Sequence, residues 1–297
     1  VWLLAGRWNR NLCSLLKDSG VIDGWIEWDS FACNRTQPIV RRLTGAVRTF
    51  WSALAEVRKA KFDIAIDLRP YTPNALLLFR LANIPKRSGF PLRGKAFTLH
   101  CAFSYDPRIA IGENFQRALP RLGLIPASYR GSEVWDVLGA ARISALRPDV
   151  RPFVILHPCG GRKHKDLPAA VIPEMIKGLI DRFDVVVFGG ASDRQRMPWL
   201  AELGSWTGVH DLVGRTSVIE VAQYSLAAIG AIVVDSFVAH LLVGSGKRVV
   251  VYGDDIDRLR SFYRLEDLTI ALTESDLLRA TTRIFESVEV PGERRVP

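Results

Sequence analysis

The chain is short of the residues from which metal and disulfide sites are made. Its 297 residues include four cysteines, five histidines and two methionines. Cys13, Cys33, Cys101 and Cys159 form no CxxC pair, and no histidine or acid is spaced with them as a ligand set. Neither a zinc site nor a disulfide framework is expected, and a reducing compartment is the simplest setting. No apolar run reaches the roughly 18 residues of a membrane-spanning helix, and no signal-peptide pattern opens the sequence. GxGxxG, the GK[ST] ending of a Walker A loop and GxSxG are all absent. That excludes a classical NAD fingerprint, a P-loop and a hydrolase nucleophile elbow. No basic run interleaves with aromatics, so no nucleic-acid partner is expected.

What is present is ordinary for a globular protein of two domains: 48% hydrophobic and 24% charged residues. The charge is uneven. Residues 1–140 hold 20 Lys and Arg against 11 Asp and Glu, whereas residues 141–297 hold 20 of each. The whole net charge of +9 therefore lies in the first half. Such a half suits an acidic glycolipid or a membrane surface, or is simply a solvated basic face.

Short apolar runs alternate with helical patterns. In the first half, Trp25–Trp28 and Phe62–Asp67 read as strands, with a further short edge at Ile84–Phe90. Helices are expected at Asn11–Ser19, Pro73–Asn83 and Asn114–Leu122. Val40–Ala60 reads as a basic amphipathic helix whose polar face meets solvent or a membrane. A junction is expected within Gly131–Pro148, dividing domains 1–140 and 141–297. In the second half, strands at Phe153–His157, Val185–Phe188, Ala231–Val234 and Val249–Tyr252 alternate with helices at Pro168–Arg182, Asp193–Leu203 and Val218–Ala228. This order predicts an α/β fold with parallel sheets and helices on both faces.

The candidate chemistry gathers where strands end. AIVVDSFVAHLLVGSGKRVVVYG (231–253) reads as strand, helix, strand. It puts Asp235, Ser236 and His240 at one sheet edge, where free helix N–H groups suit a diphosphate. LHPCGGRKHKDLP (156–168) follows another strand. Gly160 and Gly161 permit close backbone approach to a phosphate and Lys165 offsets its charge, or the segment is a basic surface turn. Asp193, after Gly189-Gly190, reaches a ribose or caps the next helix. Ser217 and Glu220 fit a capping box.

Together these segments resemble glycosyltransferase family 9, the bacterial heptosyltransferases of lipopolysaccharide assembly. The resemblance is carried by GRTS, DSFVAH and GKRVVVYG within 214–253, by the HPCGGRKHKDLP loop, and by FDIAIDLR with KRSGF in the first half. It implies a GT-B architecture, two Rossmann-like domains facing across a cleft. The second domain would bind an ADP-heptose-like nucleotide-sugar through Asp235, Ser236, His240, Lys165, Gly160 and Gly161, with Asp193 on the adenosine side. The first would receive an anionic glycolipid acceptor, with Arg69 and Arg87 as contacts. No cofactor or metal is implied. The setting is the cytoplasm, at the inner face of the inner membrane.

Two departures stand out. The family's Gly-Pro after Asp-Ser is Phe237-Val238 here. The family's opening strand, with the Gly-Asp turn that supplies the general base, is not found before VWLLAG, and Asp67 is the substitute base. The expected reaction is inverting sugar transfer. The alternatives are a non-catalytic nucleotide-sugar module and a GT-B UDP-sugar epimerase.

Overall fold

Alternating strands and helices make each strand-to-strand connection a parallel crossover. The computed structural model describes residues 1–29, 39–68, 75–90, 99–124, 136–137, 151–161, 163–263, 268–286 and 288. The chain divides into two compact units, Val1–Asp106 with Gly112–Ala127, and Pro107–Ile111 with Ser128–Pro297. The expected junction at residue 140 lies outside the described residues, as does Arg69.

In the first unit, β1 (Trp2–Ala5) pairs in parallel with β2 (Gly24–Glu27) across the helix α1 (Arg10–Asp18). A separate parallel sheet has the order β3 (Ile64–Asp67), β4 (Lys86–Gly89), β5 (Cys101–Ala102). The helices α2 (Ile39–Ala60) and α3 (Ala75–Leu81) share one core with these strands through Ile26, Ala53, Val57, Leu78 and Phe79. Helix α4 (Ile111–Ala118) closes a smaller aromatic cluster around Phe90 and Phe103. It starts three residues before the expected Asn114 and ends at Ala118, because Pro120 opens a separate 3-10 turn at Leu119–Leu122.

The second unit is a six-stranded parallel sheet. Its strands are β6 (Phe153–His157), β7 (Asp184–Val187), β8 (Val209–Asp211), β9 (Gly230–Val234), β10 (Arg248–Tyr252) and β11 (Leu268–Ala271), in the order β11-β10-β9-β6-β7-β8. Successive residues of a strand point to opposite faces. Val154 and Leu156 therefore pack with α5 (Ile172–Ile180), α6 (Leu200–Leu203) and α10 (Glu274–Glu286). Phe153 and Ile155 pack with α7 (Val218–Ala227), α8 (Phe237–Gly244) and α9 (Ile256–Phe262). With both faces covered, every residue of β6, β7 and β9 is buried.

Prolines adjust the expected helices. The helix foreseen from Pro168 starts at Ile172, with Pro173 in its first turn, where a missing N–H costs nothing. The helix foreseen over 193–203 is a 3-10 helix, Ala191–Arg196, then α6, with Pro198 between them. The capping box forms as expected. Ser217 Oγ accepts the Glu220 N–H at 3.2 Å, and Glu220 accepts the Ser217 N–H at 2.6 Å. That bond holds the Glu220 carboxyl below its ordinary range.

The sheet order reverses between β6 and β9, which makes the ends of these two neighbours a topological switch point. Helix α8 hangs from that point by Val238, Ala239, Leu242 and Val243. Leu242 is completely buried, so Leu242→Ala should destabilise the protein by about 2–5 kcal/mol. Urea unfolding followed by circular dichroism measures this, and a change below about 1 kcal/mol would mean that α8 is not part of the folded core.

Candidate functional site

Two loops leave the switch point, one after β6 and one after β9. The first is pinned by a carboxylate. Asp166 accepts the Gly160 N–H at 3.0 Å and the Arg196 Nε–H at 2.9 Å. Arg196 also donates to Gly160 O at 2.9 Å and to Asp193 at 3.1 Å. The hydrogen bond to Asp166 raises the Arg196 pKa above its ordinary value. Beneath the loop, burial pushes the Cys159 thiol up to about 12, so it stays protonated and inert.

Gly160 has a use that differs from the expected one. A Cβ at this position would lie 2.9 Å from Lys165 Cβ. The space is taken by the lysine stem on its way to β9, and is not left open for a phosphate. Gly161, one residue on, is exposed with nothing within 4 Å of an added Cβ. Lys165 Nζ ends 2.6 Å from Asp235 Oδ2, and both side chains are largely shielded from water.

The β9 loop completes the cluster. The Tyr263 hydroxyl donates to Asp235 Oδ1 at 3.3 Å, and the His240 ring lies over the Tyr263 ring with centroids 4.6 Å apart. His240 keeps an exposed edge. Burial of the rest lowers its pKa, against an opposing pull from Asp235. Ser236 adopts the extended conformation of a helix N-cap, but its side chain does not cap α8. Its Oγ lies 3.3 Å from His157 Nδ1 instead. His157 is buried, and desolvation lowers its pKa to about 4.

Lys165, Asp235, Ser236 and His240 are therefore brought together as expected from sequence. Asp193 sits next to them but is engaged as a cap, accepting the Gly190 N–H at 2.8 Å as well as Arg196. Tyr263, Arg196 and Asp166 were missed. Asp166 lies in the HPCGGRKHKDLP segment beside Lys165 but was not singled out, and Arg196 and Tyr263 reach the site through tertiary contact. In the first unit Asp67 is buried and accepts the Ala75 N–H at 3.2 Å, which caps α3. That placement argues against its service as a base, since a buried cap is closed to an acceptor hydroxyl. Arg87 lies opposite Ala65, two residues back from the strand edge that carries Asp67, and donates to Ile84 O. No group of three or more His, Cys, Asp or Glu among the described residues has the arrangement of a metal site.

The profile of glycosyltransferase family 9 (heptosyltransferase) matches residues 50–255, more than two thirds of the chain. The chain belongs to this family. No curated protein sequence matches it. Among solved structures, E. coli heptosyltransferase WaaC with ADP is similar at a TM-score of 0.69 and 15% identity, over 96% of this chain and 99% of that one. E. coli ADP-heptose lps heptosyltransferase II is similar at 0.64 and 16%, over 95% and 88%. The UDP-GlcNAc 2-epimerase from Neisseria meningitidis bound to UDP-GlcNAc is similar at 0.55 and 13%, over 96% and 91%. These likenesses place the glycosyltransferase in the GT-B fold, whose members include both enzyme types.

The buried histidine gives this glycosyltransferase a pH signature. His157 binds its proton at about 4 when folded and at about 6.5 when unfolded. The unfolded state therefore holds more protons between these values, and stability falls as pH drops from 6.5 to 4. The expected loss is about 3 kcal/mol. Urea midpoints measured across that window should fall less steeply for His157→Gln than for the parent. Parallel slopes would mean that His157 takes up its proton in the folded state at the ordinary pH.

Proposed function

We propose that this family 9 glycosyltransferase moves a heptose-like sugar from an ADP-sugar to an anionic glycolipid, with inversion at the anomeric carbon. The observation that carries the reading is the cluster at the switch point. An ammonium, a carboxylate, a hydroxyl and an imidazole meet where α8 begins without a side-chain cap. Uncapped helix N–H groups and a cation are what a diphosphate leaving group requires. The related structures with ADP and with an ADP-heptose analogue support an adenine nucleotide as the carrier.

In this reading the acceptor hydroxyl attacks the anomeric carbon and gives up its proton to solvent water, the bond from that carbon to the diphosphate oxygen breaks, and ADP leaves with the bonding pair. Lys165 and the first amides of α8 stabilise the charge that grows on the departing oxygen. Asp235, released as Lys165 turns to the phosphates, accepts from a sugar hydroxyl and fixes the ring. His240 is held in place by Tyr263 at the same edge. Asp193 and Arg196 keep the β6 loop in shape. The acceptor's anionic groups are met by the first half, where the excess of Lys and Arg lies, with Arg69 and Arg87 as contacts. The setting is the cytoplasmic face of the membrane that carries the acceptor.

The reading is tested by mixing the protein with ADP-heptose and a heptose-free anionic core glycolipid. ADP release and a glycolipid heavier by one sugar are expected. Release without acceptor, or turnover of UDP-GlcNAc by epimerisation instead, would overturn it.

The ion pair gives a sharper prediction. A charge-assisted contact to phosphate is worth about 1.5–3 kcal/mol, so Lys165→Met should weaken ADP binding about ten- to hundredfold. Asp235→Asn removes the carboxylate that competes with phosphate for the same lysine. It should bind ADP at least as tightly as the parent while losing turnover. Calorimetry with ADP and the transfer assay separate the two. Weaker ADP binding in Asp235→Asn would show that Asp235 orients the lysine rather than competing for it.

A further inference from the structure

Helix α2 is 22 residues long, and only part of it is held by the protein. Ala53, Leu54 and Val57, all towards its C-terminal end, are its buried anchors. Towards its N-terminal end a row of large apolar side chains faces out. Val40 is 71% exposed, Leu43 55%, Val47 50% and Trp51 62%. Spacings of three, four and four put them on one stripe about 16 Å long. A contiguous exposed stripe of this kind marks an interaction surface.

The charges beside the stripe identify what it meets. Residues 39–55 contain no carboxylate, and the whole helix has five Lys and Arg against one Glu. Arg41 and Arg48 are exposed and lie roughly 80–100° round the helix from Val40, along the solvent edge of the stripe. Glu56 lies about 160° round. There it lines a hollow of about 300 Å³ with Glu27, Trp25, Thr49 and Ser52, away from the apolar row. The helix thus has an apolar edge, an adjoining basic edge and an acidic flank turned elsewhere. This is the pattern of a helix that lies in the plane of an anionic bilayer, with apolar groups at the acyl boundary, arginines among the phosphates and a tryptophan at the interface. No described helix is long and apolar enough to cross a membrane.

We propose that the exposed stripe of α2 docks this protein on an anionic lipid surface. The docking is separate from sugar transfer and needs neither donor nor acceptor glycolipid. The test uses the full chain and vesicles of phosphatidylcholine alone or mixed with phosphatidylglycerol. Co-sedimentation with the anionic vesicles is expected, with little on the neutral ones and a decline as salt rises. Leu43→Ser/Val47→Ser/Trp51→Ser and Arg41→Ser/Arg48→Ser should each bind about tenfold or more weakly. These side chains are exposed, so thermal melting should stay that of the parent. Quenching by brominated anionic lipid should fall in Trp51→Phe, because Trp51 is the indole at the interface. Variants that bind like the parent, equal binding to neutral vesicles, or no binding by the parent would overturn the proposal. So would a parent dimer in sedimentation velocity that the triple apolar variant abolishes, because the stripe would then meet a second copy of the chain.

Discussion

The Lys165–Asp235 ion pair is the contact on which the site depends. Its partners are 70 residues apart and meet because β6 and β9 are neighbours at the point where the sheet order reverses. Taking both charges out of water cancels much of their attraction, so such a pair adds little to the stability of the fold. Its value lies in readiness. A lysine oriented beside a carboxylate needs, in the proposed reaction, only a short turn to meet a more highly charged anion, and that turn frees the carboxylate in the same step. The neighbouring features serve this arrangement. Gly160 leaves room for the lysine stem, Asp166 and Arg196 fix the loop that carries it, and Tyr263 holds the other carboxylate oxygen.

How far the sequence alone could be read follows from the range of the forces involved. The second unit was legible because a strand covered on both faces is apolar along most of its length, and FVIL, VVV and AIVV stand out as such runs. The capping box was legible because both partners lie within one turn. The short strands β5, β8 and β11 were not, since VHD and LTIA carry no apolar run and Cys101–Ala102 spans two residues. Lys165, Asp235, Ser236 and His240 could be found because each closely follows the end of a strand or opens the next helix. Arg196 and Tyr263 enter through contacts that only the fold creates, whereas Asp166 closes the β6 loop on itself within six residues.

Asp67 shows why a strand-end carboxylate does not by itself indicate chemistry. Short acidic side chains at these positions satisfy the free amides of the following helix as readily as they meet a ligand. Asp67 does this for α3, and Asp193 does it for the turn at Gly190. Ser236 is the opposite case. It stands in the N-cap position of α8 with the right backbone, and its hydroxyl is turned to His157 instead. No side chain thus caps α8, although the Ala239 N–H turns back to Ser236 O at 3.1 Å, and the buried imidazole below, with its pKa lowered to about 4, is neutral at pH 7.

Phe237 changes how that free helix end is used. The family pattern has glycine here, which lets the backbone come close to its ligand. The phenylalanine ring is 51% exposed and packs edge-on against His157 at 6.3 Å between centroids. A fixed aromatic ring at the mouth of the site limits how near a bulky group can approach the α8 amides. It also offers an apolar face for the C–H surface of a sugar. Under the proposed function, recognition therefore rests less on backbone contact and more on the side chains that the switch point gathers. In the proposed transfer, the charge of the diphosphate falls chiefly on Lys165, and the sugar packs between Phe237, Asp235 and His240. With a phenylalanine at this helix end, the proposed diphosphate contact depends the more on Lys165, whose stem passes through the space that Gly160 leaves and whose ammonium is held at Asp235.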